Sequence, residues 1–168
     1  MFRKMRRFRQ LLSDAACAEI LTRGTSGVLA VSGDGNYPYA VPLNYLYDDK
    51  KIYFHGALSG HKIDAIARND KVSFCVVDLE QNVSAEFTTY FRSVIAFGRA
   101  HLVEDAAEKR LAAQKLADKF SPEEPAEHRD AEIEHSWKAM GIIRIDIEHM
   151  TGKEAIELVR ARQETDTK

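Results

Sequence analysis

A short glycine-bounded loop carries the residues of this chain that are best suited to binding chemistry. The loop runs from Gly56 to Gly60 after a β-like run, and Ser59, His61 and Lys62 stand where a helix opens. The first backbone N–H groups of a helix have no partner within the helix, and the helix dipole is positive at that end. A hydroxyl, an imidazole and an ammonium group beside such N–H groups predict an anion site, and Gly60 lets a ligand approach the backbone closely.

The same residues are also compatible with a plain capped turn whose His61 and Lys62 side chains face water. A phosphate loop of the G-x-x-x-x-G-K-[ST] type does not fit, because only three residues separate Gly56 from Gly60. Ile63 also stands where the Mg²⁺-binding hydroxyl of such a loop belongs. The pattern argues against an NTPase and leaves the anion site and the plain turn open.

The sequence lacks the common signatures of metal sites, nucleophiles and dinucleotide sites. The six histidines form no H-x-x-x-H pair, and no Cys, Asp or Glu cluster completes a ligand set, so no metal site is predicted. No G-x-S-x-G or Cys-His signature marks a nucleophile. No G-x-G-x-x-G follows a strand, which argues against a Rossmann site.

The composition indicates one soluble domain over residues 1–168, of which 45% are hydrophobic. A net charge of −2 provides no general attraction to nucleic acid or membranes, and neither is expected as a partner. No apolar run has transmembrane length, and no signal peptide is visible. Cys17 and Cys75 stand alone, which favours a reducing compartment, and the cytoplasm is the expected location. Residues 1–10 are expected to form a basic arm and 162–168 a polar tail.

Alternating apolar residues and turn signals predict about six strands. Asp34-Gly35 and Asp48-Asp49-Lys50 indicate hairpin turns, and Gly98 indicates a bulge. Residues 79–87 are polar and are expected to form a loop. Pro42 interrupts an apolar run, so it marks an ordinary strand start or edge, or a break in pairing that frees backbone groups for a ligand. The expected strands are Val28–Val31, Leu43–Tyr47, Ile52–Phe54, Lys71–Val77, Tyr90–Val103 and Ile143–Ile147.

Three or four helices are predicted between these strands. Ser13 is a candidate N-cap for a helix that stops at Gly24, and a second helix starts at His61. A third runs from Asp105 to Phe120, and 129–138 is predicted to form a fourth. The apolar stripe of the third helix is assigned to Ala107, Leu111, Leu116 and Phe120. Strands that follow one another by hairpins favour an antiparallel barrel or an α+β fold over a doubly wound sheet.

Several motifs, taken together and in order, resemble one family. They are Met5-Arg-Arg, Tyr39-Ala-Val-Pro-Leu-Asn-Tyr, Ile52-Tyr-Phe-His-Gly-Ala, Gly60-His-Lys-Ile-Asp and Tyr90-Phe-Arg-Ser-Val-Ile-Ala-Phe-Gly-Arg-Ala. Over residues 5 to 150 the chain resembles the pyridoxamine-phosphate-oxidase-like split-barrel proteins, and most closely their nitroimidazole-resistance branch.

The resemblance implies a mainly β fold with flanking helices, a six-stranded antiparallel split β-barrel that binds FMN as a homodimer. It implies that Ser59, His61 and Lys62 hold the FMN phosphate, and that the strand before residue 45 follows the isoalloxazine edge. The cofactor-binding residues implied are Val41, Pro42, Leu43, Asn44, Phe54, His55, Gly56, Ala57, Ser59, His61 and Lys62, with Tyr90, Arg92 and Ser93 from the second subunit.

The activity implied by the resemblance is reduction of a small aromatic substrate of the nitro or quinone type. His55 corresponds to a histidine beside the flavin, where it either donates a proton or only packs against the ring. The end of the chain lacks the Arg/His-rich motif of the vitamin-B6 oxidases, which argues against that activity. The alternatives are a flavin-binding module without turnover, a haem-binding split-barrel protein and a protein that uses a deazaflavin.

Overall fold

Seven strands and five α-helices make up the computed structural model, which describes residues 1–166, with side chains to residue 164. The strands are β1 (Ser26–Ser32), β2 (Pro38–Asn44), β3 (Leu46–Asp48), β4 (Lys51–Ala57), β5 (Lys71–Val83), β6 (Thr88–Leu102) and β7 (Met140–Glu154). The helices are α1 (Asp14–Arg23), α2 (His61–Arg68), α3 (Ala106–Phe120), α4 (Ala126–Ser136) and α5 (Ile156–Asp166).

All seven strands form one antiparallel sheet in the order β2-β1-β5-β6-β7-β4-β3. β2 and β3 lie at opposite edges of this sheet, yet Tyr45 is the only residue between them in the chain. The two edges must therefore lie side by side, so the sheet curls without closing. The predicted mainly β fold with flanking helices is confirmed, and the curled open sheet is consistent with a split barrel.

The predicted count of six strands is wrong, because the expected strand Leu43–Tyr47 is divided between two strands. β2 ends at Asn44 and β3 begins at Leu46, on the opposite edge. Tyr45 leaves the strand path and is fully buried. Burial of its ring in the core outweighs the continuity that the alternating residues suggest.

Both predicted hairpin turns are present. Gly35 has a φ of 60° in the turn between β1 and β2, where a positive φ suits glycine. Asp49 and Lys50 both have positive φ, 44° and 62°, between β3 and β4. Two such residues form the tight turn whose twist matches antiparallel strands. The predicted bulge is also present, since the β6–β7 register shifts between Phe97 and Gly98.

One prediction for the sheet is wrong, and the alternatives for Pro42 are decided in favour of a strand edge. The polar segment 79–87 is mostly strand, because β5 continues to Val83 and pairs with the start of β6. Its polar side chains pair across the ladder, as when the Thr89 hydroxyl donates to Asn82 Oδ1 at 2.8 Å. Pro42 does not break pairing, since β2 stays in register with β1 from Pro38 to Asn44. Proline is tolerated there because β2 is an edge strand.

The helix ends follow local capping. Ser13 Oγ accepts the Ala16 N–H at 3.2 Å, as predicted, and Asp105 Oδ1 accepts the Glu108 N–H at 2.7 Å at the predicted start of α3. α4 begins directly after Pro125, earlier than expected. The expected tail overlaps α5, and residues 167–168 lie outside the described part of the chain. No helix among residues 1–166 is both long and apolar enough to cross a membrane.

Two apolar clusters stabilise these elements. The larger fills the curled sheet beneath α1 and α2, and the smaller lies between β4, β7 and the α3–α4 pair. An ion pair ties the smaller cluster together: Arg144 Nη1 donates to Glu108 Oε1 at 2.7 Å, and the Tyr53 hydroxyl donates to the same carboxylate at 2.9 Å. The Arg144 guanidinium lowers the pKa of Glu108, so this contact is weakened as pH falls through that pKa.

Tyr45 is held from several sides at the junction of the two sheet edges. Its hydroxyl donates to the Leu21 carbonyl at 2.8 Å, and its ring meets Phe74 edge-on at 5.0 Å between centroids. Burial raises the pKa of this phenol, so it stays neutral and able to donate.

We expect Tyr45→Phe to lower the free energy of unfolding by about 1–3 kcal/mol, because the buried Leu21 carbonyl loses its donor. Urea unfolding followed by circular dichroism measures the change. Tyr37→Phe is the matched control, since Tyr37 is 78% exposed and should show no change. Equal stability of the two variants would contradict a structural role for the Tyr45 hydroxyl.

Candidate functional site

A cavity of about 450 Å³ lies between the end of β4 and the α3–α4 pair. Helix residues such as Leu116, Phe120 and Ile133 form its apolar wall. Asn44 reaches it from the end of β2, because Tyr45 brings that edge of the sheet next to β4. A volume of this size accommodates a small planar ligand.

Four of the predicted cofactor-binding residues line this cavity: Asn44, His55, Gly56 and Ala57. The pleat of β4 explains which of its side chains line the cavity, since successive side chains point to opposite faces of the sheet. His55 and Ala57 therefore face the α3–α4 pair. The imidazole of His55 is exposed, and no described residue hydrogen-bonds to it. It is the titratable side chain of the β4 end that is free to meet a ligand.

Other predicted residues of these strands lie outside the cavity. Phe54 is fully buried in the larger core cluster, and Val41 and Leu43 pack against that cluster. Because these side chains pack in or against the core, a ligand would contact these residues only through their backbone groups. Pro42 is exposed on the opposite face of β2 from Val41 and Leu43.

The predicted anion site at the start of α2 has an open geometry. Gly60 has a φ of 120°, and a Cβ added there would meet nothing within 4 Å. Its carbonyl accepts the N–H groups of Ile63 and Asp64 at 2.9 and 3.0 Å. No described side chain caps the helix, and Ser59 is exposed beside it. The N–H groups of His61 and Lys62 thus remain without a partner among the described residues, as an anion site requires.

Lys62 lies against the face of β4 opposite to the cavity. A Cβ added at Gly56 would come 3.3 Å from Lys62 Nζ, so the absence of a side chain at Gly56 makes room for the ammonium. No ion pair to Lys62 is found among the side chains of residues 1–164. The backbone of Gly56 therefore separates an unpaired cation from the cavity.

His61 is less available than predicted. Its ring stacks on Tyr39 at 4.1 Å between centroids, and Nε2 accepts the Asp34 N–H at 3.4 Å. The Asp34 carboxylate lies 3.6 Å from the same nitrogen and becomes an ion-pair partner only if the ring is protonated. The His61 side chain thus joins α2 to the β1–β2 turn.

The residues expected from the second subunit do not reach the cavity within this chain. Tyr90 donates its hydroxyl to Glu86 at 2.9 Å. Arg92 is paired with Asp78 at 3.4 Å and with the buried Glu154 at 3.3 Å. Ser93 lies opposite Val77 in the β5–β6 ladder. Their role toward a cofactor stays a prediction.

The sequence interpretation missed the helical half of the cavity. The predicted stripe of α3 is confirmed at Leu116 and Phe120, which line the cavity, and is wrong at Ala107 and Leu111, which are exposed. Leu111 is 53% exposed, whereas Ala112, Ala113 and Leu116 are buried. The signal was present in the small side chains at 112, 113 and 117, which let a helix approach a sheet closely. Among the described residues, no group of three or more His, Cys, Asp or Glu side chains is arranged to hold a metal ion.

The fold is similar to several solved structures. A FAD-binding protein from Mesorhizobium loti is 27% identical with a TM-score of 0.60, and the match covers 87% of this chain and 97% of that one. A candidate 5-nitroimidazole antibiotic resistance protein from Bacteroides thetaiotaomicron is 19% identical with a TM-score of 0.69, covering 86% of each chain. The flavocytochrome Anf3 from Azotobacter vinelandii is 19% identical with a TM-score of 0.72, covering 91% of this chain and 72% of that one. The last two support the fold alone.

None of the curated protein sequences is similar enough to this chain to count as a match. A family model does match: the pyridoxamine 5'-phosphate oxidase model aligns with residues 13–154. That range contains all seven strands, and it ends at Glu154, where β7 also ends. The family predicted from the motifs is confirmed, and the chain belongs to the pyridoxamine 5'-phosphate oxidase-like family.

Proposed function

We propose that this protein binds a flavin, FMN, and reduces a small aromatic molecule of the nitro or quinone type. The observation that carries the proposal is the position of the cavity. It is lined by His55 and Ala57 on one side of the β4 end, and the unpaired cation Lys62 lies on the other side. A flavin needs these two environments next to each other, one for its ring and one for its phosphate.

The residues present fit a flavin in chemistry. Ser59, Lys62 and the first N–H groups of α2 would hold the phosphate. Asn44 and the β4 end would hold the polar edge of the ring, with the helices as the apolar wall. The flavin supplies the electron-transfer chemistry when bound, and the protein binds and orients it.

FAD is a second candidate cofactor, favoured by the 27% identity to a FAD-binding protein. Both cofactors share the flavin ring, so the proposed ring site is the same for either. A haem or deazaflavin cofactor is distinguished by the absorption spectrum of the purified protein, since flavin, haem and deazaflavin absorb at different wavelengths.

His55 is the residue proposed to assist the reduction. Its imidazole is exposed at the cavity and has no hydrogen-bond partner among the described residues, so it is free to lend a proton to a bound substrate. The apolar helix wall would exclude water on the far side of the same cavity.

A homodimer is proposed as the functional form, supported by an apolar face on the outside of the sheet. Val28 and Ile95 are 39% and 38% exposed, and Val77 is 61% exposed. Val28 and Ile95 flank Cys75 in one row across β1, β5 and β6. Ser93 is the ladder partner of Val77, so this face includes a residue expected to serve the partner's site.

We expect Lys62→Ala to weaken FMN binding by about 1.5–3 kcal/mol, because a charge-assisted phosphate contact is lost. Titration of the apo-protein with FMN, FAD and riboflavin measures the effect, and Lys50→Ala on an exposed turn is the matched control. Equal losses of affinity for riboflavin and for FMN would show that Lys62 does not bind the phosphate. Tighter binding of FAD than of FMN would favour the second cofactor.

We expect the reduced holoprotein to be reoxidised by a nitroaromatic or a quinone faster than free reduced FMN under anaerobic conditions. Stopped-flow absorbance follows the reaction. His55→Ala should slow it by about 10²- to 10⁴-fold if His55 is a general acid. His128→Ala should not, because His128 is exposed, pairs with Glu124 and does not line the cavity. A rate equal to that of free FMN would reject the enzyme, whereas a fast rate in His55→Ala would remove only His55 from the mechanism.

We expect light scattering to give the mass of a dimer, and Val77→Lys to shift it toward the monomer with a loss of flavin affinity. The physical reason is that a charge would be buried unpaired in the proposed interface. Leu111→Lys on α3 is the control, because Leu111 is 53% exposed and does not belong to β1, β5 or β6, which form that face. A wild-type monomer saturated with flavin would contradict the shared site.

A further inference from the structure

The cavity under the α3–α4 pair contains no positively charged lysine or arginine among its described lining residues. Its carboxylate is Glu132, on α4, and the Ser136 hydroxyl donates to Glu132 Oε1 at 3.1 Å. This bond holds the carboxylate at the cavity rim. Except for His55 on the opposite wall, the remaining lining groups are apolar or neutral.

The cations of the two helices are all engaged elsewhere. The ammonium of Lys109 and the guanidinium of Arg110 lie over the Trp137 ring, 4.3 and 4.6 Å from its centroid. Lys119 donates to the Gly24 carbonyl at 2.6 Å, and Lys115 pairs with Asp48 at 2.5 Å.

The guanidinium of Arg129 completes this pattern. It pairs with Asp118 at 3.0 Å and donates to the carbonyls of Ser121 and Glu124. None of the five side chains is available to neutralise an anion inside the cavity. The negative charge at Glu132 is thus not balanced by the helices that carry it.

We propose that the α4 side of this cavity, next to the proposed position of the flavin ring at the β4 end, is the substrate site and that it selects a flat apolar molecule with one positively charged amino group, which pairs with Glu132. The inference rests on the proposed flavin site beside the β4 end and names the class of substrate for it. A substrate with a phosphate or carboxylate is disfavoured, because its charge would leave water without meeting a lysine or an arginine and would face the Glu132 carboxylate.

Three probes of the same shape test the charge preference: 4-nitrobenzylamine, 4-nitrobenzyl alcohol and 4-nitrobenzoate. Trp137 is the single tryptophan of the chain and adjoins the lining residue Ser136, so its fluorescence reports binding without any flavin. We expect the amine to bind roughly two- to fivefold tighter than the alcohol, and the carboxylate to bind weakest.

Glu132→Gln should remove the preference for the amine, and Glu132→Lys should reverse the order so that the carboxylate binds best. Glu134→Gln is the matched control, because Glu134 lies on the same helix but pairs with Arg110 and does not line the cavity. Glu132 is exposed, so neither change should disturb folding, which circular dichroism verifies.

Equal binding of the three probes, or an amine preference that survives Glu132→Gln, would overturn the proposal. Its failure is distinguishable from failure of the flavin function, because binding is read from Trp137 in the apo-protein. Amine binding that depends on Glu132, without faster reoxidation of the reduced holoprotein, would reject the reductase and keep the cavity assignment. Fast reoxidation of the reduced holoprotein, together with probe binding that does not depend on Glu132, would support the reductase and overturn the cavity assignment.

Discussion

A single buried residue, Tyr45, determines how this open sheet curls back on itself. It is the only residue between β2 and β3, which lie at opposite edges of seven strands. Its hydroxyl is bonded to α1 and its ring packs on Phe74, so the chain must pass through the core at this point. The two edges are thereby held side by side, and this places Asn44 beside the end of β4. The candidate site depends on this arrangement of the two edges.

The end of β4 then divides the site into two environments. Because the strand is pleated, His55 and Ala57 face the cavity while Phe54 fills the core of the curled sheet. Gly56 has no side chain, and the Lys62 ammonium lies close to the space that a side chain there would take. An apolar cavity and a cationic helix start thus lie on two faces of a single strand.

The charged side chains of the α3–α4 pair mainly hold that pair in place. Arg144 and Glu108 join α3 to β7, Lys115 joins α3 to β3, and Lys119 joins it to the end of α1. Each cation that anchors a helix in this way is withdrawn from the cavity. Stabilisation of the helices and the negative character of the cavity therefore have the same origin.

The sequence by itself determined the features whose partners lie within a few residues, such as the Ser13 and Asp105 caps, the Asp34-Gly35 turn and the open start of α2 at Gly60. Its motifs were also sufficient for the family. The tertiary structure alone decided the division of the strand at Tyr45, the phase of the α3 stripe and the α3–α4 half of the cavity. It also decided that His61 is occupied by Tyr39 and Asp34. These features depend on contacts between residues far apart in the chain, and alternation or helical spacing carries no information about which distant surface a side chain will meet.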